Sequence, residues 1–118
     1  MAVNVAKLSK ETKITIKNLK EQLLDLVDES KDTEYKILER FGENSATIST
    51  LEQLTEIAEQ AKSRFSQLSN LQLRIAEAQP SIPSDLLKLM NEAIANIQNR
   101  IPALERSIEE IKLDWQLQ

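Results

Sequence analysis

The sequence predicts an all-α protein, three long amphipathic helices in an up-down-up antiparallel bundle with coiled-coil-like packing. Three observations carry that expectation. One glycine in 118 residues leaves little material for hairpin turns, whose favoured types need Gly or Asn at positive φ. Apolar residues recur at steps of three and four along most of the chain, a spacing that places them on one face of a helix. Turn-forming residues gather at only two places, Phe41-Gly42-Glu43-Asn44-Ser45 and Pro80-Ser81-Ile82-Pro83-Ser84-Asp85, so the chain divides into three segments of similar length. The expected helices cover about 5–41, 50–79 and 83–117 of a single helical domain, 1–118, with residues 1–9 as a stretch that can stay disordered.

In the first segment Val5, Leu8, Thr12, Ile16, Leu19, Leu23, Leu26, Ser30, Ile37 and Phe41 share one face. Gly42 then stands where a glycine that ends a helix belongs. Two stretches compete with this reading. Lys13-Ile14-Thr15-Ile16-Lys17 alternates like a short strand, leaving residues 12–17 open between helix and strand, and Ser30-Lys31-Asp32-Thr33 could break the helix with a fresh N-cap.

The second segment opens on Ser49-Thr50-Leu51-Glu52, a capping-box pattern in which a Ser hydroxyl and a Glu carboxylate satisfy opposing backbone amides. Leu51, Leu54, Ala58, Ala61, Phe65, Leu68, Leu71, Ile75 and Ala78 follow as a stripe until Pro80. The third segment has the most regular pattern: Leu87, Met90, Ile94, Ile97, Ile101, Leu104, Ile108, Ile111 and Trp115 alternate steps of three and four without a slip, a heptad repeat. Pro102 interrupts the backbone hydrogen bonding there, yet the apolar phase is the same on both sides, which predicts a kink in place of a stop. The competing reading starts a new helix capped by Asn99. Trp115 is expected to close the end of the bundle.

Composition excludes more function classes than it supports. The chain has no Cys and no His, which removes thiolate and imidazole ligands, Ser-His-Asp and Cys-His nucleophiles, and redox pairs. Aromatic residues are 3% of the chain, few for a ligand pocket. No cofactor and no metal is expected. No apolar run approaches the roughly 20 residues of a membrane span, and Met1 to Lys10 lacks the apolar core of a secretory signal, so a cytoplasmic location is the default expectation.

Charge is unevenly distributed along the chain. The net charge is −4, but Lys7, Lys10, Lys13, Lys17 and Lys20 stand against Glu11 alone in the first twenty residues, whereas residues 21–60 hold three basic and eleven acidic side chains. On a helix the five lysines form a stripe that could bind an anion: nucleic acid, lipid or an acidic protein. The stretch contains no Arg for bidentate contacts and no aromatic for stacking.

Asp25, Asp28, Glu29 and Asp32 form an acidic cluster in the first helix, and Glu52, Glu56 and Glu59 a second cluster in the next. Glu29-x-x-Asp32 and Glu56-x-x-Glu59 resemble, in reversed order, the paired acidic motifs of the all-α nucleoside triphosphate pyrophosphohydrolases. That resemblance implies a Mg²⁺-dependent enzyme in which Asp25, Glu29, Glu56 and Glu59 face one another. Ferritin-like di-iron chemistry is excluded, because its Glu-x-x-His motifs require histidine.

These features favour a non-enzymatic helical protein–protein interaction module: a small adaptor, assembly factor or structural subunit working through apolar heptad faces. Its expected association residues are Ile94, Ile97, Ile101, Leu104, Ile108, Ile111 and Trp115, and its expected partner another protein, a second copy of the chain, or both. The alternatives are a nucleic-acid-associated protein using the lysine stripe and the Mg²⁺-dependent pyrophosphohydrolase.

Overall fold

A computed structural model describes residues 8–117. The disorder expected for residues 1–9 falls largely on residues 1–7, which with Lys7 of the lysine stripe lie outside the described residues. Three helices follow in order, α1 (Lys10–Phe41), α2 (Ile48–Glu77) and α3 (Ser84–Asp114), packed against one another with no strand among the described residues.

Helix α1 starts at Lys10, later than its apolar spacing suggests, because Ser9 caps it. Ser9 is extended (φ −65°, ψ 159°), and its Oγ accepts a hydrogen bond from the Thr12 amide at 3.0 Å, satisfying one of the unpaired amides at a helix start. Residues 12–17 are helical: Ile16 is fully buried while Ile14 is half exposed, so burial along a helical face overrides the local alternation. No break occurs at Ser30–Thr33 either. Both side chains sit in the seam and are buried, with Ile16, Leu19, Leu23, Leu26 and Ile37 at alternating steps of three and four.

Gly42 ends α1 as expected. Its amide donates to the Leu38 carbonyl at 3.0 Å, and its φ of 74° with ψ of −177° lies in a region reserved almost wholly for glycine. An added Cβ would meet nothing closer than Asn44 Nδ2 at 4.0 Å, so the backbone alone resists substitution. Gly42→Ala is expected to cost about 1–3 kcal/mol, read as a lower thermal midpoint with unchanged helix content before the transition.

The Ser49-x-x-Glu52 capping box does not start α2, which is already helical from Ile48. Thr47 organises the turn instead. Its buried hydroxyl donates to the Gly42 carbonyl at 2.8 Å and accepts from the Asn44 amide at 3.0 Å, while Asn44 Oδ1 accepts from the Ala46 amide at 2.9 Å. Thr47 is thus the N-cap residue, but its hydroxyl braces the preceding turn and makes no bond to the first-turn amides of α2. Between α2 and α3 the buried side chain of Ile82, between Pro80 and Pro83, anchors the connection to the core.

Helix α3 runs unbroken through Pro102, which is exposed between buried Ile101 and Leu104, so no new helix begins at Asn99. Cross-helix bonds fix the directions. Lys20 Nζ donates to Gln72 Oε1 and Thr55 Oγ1 to Glu34, making α1 and α2 antiparallel; Arg100 Nε donates to Gln60 and Trp115 Nε1 to Thr50, reversing direction again for α3. The result is an up-down-up rod of 67 × 19 × 16 Å.

Because each helix touches two neighbours, a single narrow seam does not suffice. Ile57 on α2 and Leu86 and Ala93 on α3 are additional buried residues one position before the heptad seam. This displaces Leu87 and Ile94, two expected core residues, to half-buried positions against the core edge.

Candidate functional site

The seven residues expected to form an association face are not a free surface. Ile97, Ile101, Leu104, Ile108 and Ile111 are at most 5% exposed within the chain's own bundle, and Ile94 and Trp115 pack against the same core. The heptad repeat of α3 is closed by α1 and α2 of the same molecule. A heptad pattern specifies a surface to bury but not which helices bury it, and three helices in one chain are sufficient. Trp115 closes one end of the bundle as expected: its ring lies 5.1 Å from that of Phe41 at an interplanar angle of 57°, and its Nε1 donates to Thr50 Oγ1 at 3.3 Å.

Apolar side chains outside the seam remain exposed, and two grooves collect several of them. The larger, about 960 Å³, lies between the start of α1 and the end of α2 and is lined by Leu8, Lys13, Leu73, Ile75, Ala76 and Pro80 among others. Leu73 is 61% exposed. The smaller, about 390 Å³, lies between the end of α1 and the start of α2, where Leu38, Ile48 and Leu51 are bordered by Glu34, Glu43 and Glu52. No α3 residue lines either groove. Lys13 and Glu34 are three heptads apart on α1, as are Glu52 and Leu73 on α2, while Ile48, Thr55, Ser69 and Ala76 differ by multiples of seven. Residues so spaced occupy one column of a bundled helix. The grooves are therefore the two ends of one face, formed by α1 and α2 and turned away from α3.

That face carries opposite charge at its ends. Antiparallel packing brings Lys10, Lys13, Lys17 and Lys20 of α1 beside the α2 segment holding Lys62, Arg64 and Arg74, with Glu11 and Glu77 the acidic side chains there. The other half of the hairpin is formed by residues 21–60, with eleven acidic side chains against three basic; Glu34, Glu43 and Glu52 line the smaller groove, while Asp25 and Glu29 turn toward α3. The lysine stripe is thus present for its four described members, but not all point to solvent. Lys20 is half-buried, donating to Gln72 Oε1 at 3.0 Å with its Nζ 5.0 Å from the Phe65 ring centroid, a packed cation–π arrangement. Lys10, Lys13 and Lys17 are exposed. At the acidic end the phenol of Tyr35 is pushed up by hydrogen bonding to Glu39 and then by the charge of that carboxylate.

The carboxylates expected to face one another do not. Asp25 and Glu29 line a groove with Glu105 and Glu109 of α3 in place of Glu56 and Glu59 of α2, and Lys112 bridges it, 3.4 Å from Glu29 and 3.6 Å from Glu109. Among the described residues no three acidic side chains converge closely enough to hold a metal ion, and no helix is long and apolar enough to cross a membrane.

Leu38, Ile48 and Leu73 were not identified from the pattern because a stripe search assigns meaning to apolar residues within the stripe. The available signal was the remainder: large apolar residues left over once the seam is assigned. No known family model, curated protein or solved structure matches the chain.

Proposed function

We propose that this protein is a non-enzymatic helical interaction module that binds protein through the α1–α2 face, with α3 bracing the hairpin from behind. The observation that carries this reading is the pairing of two exposed apolar grooves with opposite charge on one face. Exposed apolar patches rimmed by charge mark interaction surfaces on otherwise polar proteins. The association residues thus move from the α3 seam to Leu38, Ile48 and Leu73, with the surrounding charges selecting the partner and steering its approach. The exposed lysines also support a nucleic-acid reading, for which affinity would fall steeply with salt; that reading gives no role to the apolar groove beside Lys13.

The test is site-specific photo-crosslinking in the cells that produce the protein, with the reactive side chain placed at Leu73, at Ile48 or at Arg106 on α3. Nuclease-resistant crosslinks to protein are expected from positions 73 and 48 and not from 106. Crosslinks from 106 alone, or none that survive nuclease, would overturn the reading. Leu73→Glu is expected to reduce crosslinking from position 48 or partner recovery at least tenfold while leaving the folding stability within about 0.5 kcal/mol of the parent, since a 61% exposed side chain supports little of the core.

A further inference from the structure

We infer that the occupant of the α1–α2 face is a second copy of this chain, docked antiparallel so that the basic groove of each copy receives the acidic groove of the other. This inference rests on the reading of that face as an interaction surface and names its partner.

Three observations lead to it. First, the two grooves are complementary: the one lined by Leu73 presents apolar side chains beside Lys13, with Lys10 and Lys17 exposed on the same helix, and the one lined by Leu38 and Ile48 presents them among Glu34, Glu43 and Glu52. Each has the chemistry the other requires. Secondly, both open on the side of the rod that α1 and α2 form, one toward each end. A two-fold axis lying in the plane of the interface and crossing the rod at right angles makes both pairings at once and closes the assembly at two copies, whereas a head-to-tail arrangement satisfies one groove per contact and continues without limit. A parallel face-to-face dimer would set lysines against lysines and glutamates against glutamates. Thirdly, the size suffices. A face on a rod 67 Å long and 19 Å wide exceeds the roughly 800 Å² per partner that a stable interface covers.

The arrangement also accounts for Leu24. It is 49% exposed and lies on the column of Lys10, Lys17, Lys31 and Leu38, about midway between Lys13 and Glu34. A two-fold axis that superposes the grooves passes beside it, so Leu24 packs against its own counterpart.

Charge reversal in two separate variants provides the test, read by sedimentation equilibrium at low salt. Lys13→Glu with Lys17→Glu makes both grooves acidic; Glu43→Lys with Glu52→Lys makes both basic. The parent chain is expected to sediment at twice its 13.4 kDa, each variant alone as a monomer with parental helicity, and their equimolar mixture again as a dimer. Rescue by mixing separates lost docking from lost folding. Because the chain has no Cys, orientation can be read directly: a mixture of Leu73→Cys and Ile48→Cys is expected to form the 73–48 disulfide in preference to 73–73. A monomeric parent, variants that dimerise as the parent does, or a mass that keeps growing with concentration would each overturn the inference. A monomeric parent whose position 73 still crosslinks to a different protein removes the second copy as partner and leaves the interaction module standing.

Discussion

Ile108→Asp is expected to abolish cooperative folding, seen as loss of the helical circular dichroism signal and of any thermal transition at every protein concentration. Ile108 is fully buried, with Leu104 and Ile111 beside it in the seam of α3. Truncating an aliphatic side chain at such a site costs ~2–5 kcal/mol, and an unpaired carboxylate adds several more. A domain of this size has only ~5–15 kcal/mol to lose. The same substitution distinguishes the two uses of the heptad repeat. If the seam served association between chains, the variant would remain a helical monomer; as part of the internal core it should yield an unfolded one. Ile101→Asp is expected to behave alike, at 2% exposure, and retention of native helicity by either variant would contradict the core described above.

The second large effect has the opposite sign. Ser30 and Thr33 are buried in the α1 seam at 0% and 1% exposure, and neither hydroxyl has a hydrogen-bond partner. A buried hydroxyl without a partner costs about 1–3 kcal/mol in lost hydration. Thr33→Val keeps the shape and removes that cost, and Ser30→Ala does the same with slightly less volume. The double variant should therefore be more stable than the parent by about 2 kcal/mol, a rise of several degrees in midpoint measured by calorimetry. A fall in midpoint would show that the hydroxyls make bonds that the side-chain geometry does not reveal. These two residues also explain why Ser30–Thr33 reads as an interruption in sequence: Ser and Thr favour caps and turns when they can bond to local backbone, but here the surrounding apolar seam holds them in the helix.

The positions of the helices were legible because long-period patterns and special backbone positions leave a local signature. Gly42 at positive φ, the alternating steps around Ile97 and Ile101, and the turn residues around Pro80 and Pro83 are of that kind. Finer features depended on spatial neighbours. Thr47, and not Ser49, organises the turn before α2 because its hydroxyl reaches back five residues to the Gly42 carbonyl, a relation that a capping-box pattern does not encode. Leu87 and Ile94 moved to the edge of the core because α3 faces two helices, which rotates the buried sector toward Leu86 and Ala93. The proposed interaction face was the least legible feature. Charge asymmetry along the chain was plain, but its meaning depends on the antiparallel turn that places Arg74 beside the lysines of α1 and Glu52 near Glu34.

The junction of Trp115 with Phe41 and Thr50 supplies an optical reporter. The chain contains a single Trp, so its emission arises at one location, where the last turn of α3 meets the α1–α2 connection. Fraying there would hydrate the indole and shift the emission to longer wavelength while most backbone helicity persists. Simultaneous recording of fluorescence and far-ultraviolet dichroism during heating would thus separate local opening of that end from global melting. Coincident curves would indicate that the rod loses its structure as one cooperative unit.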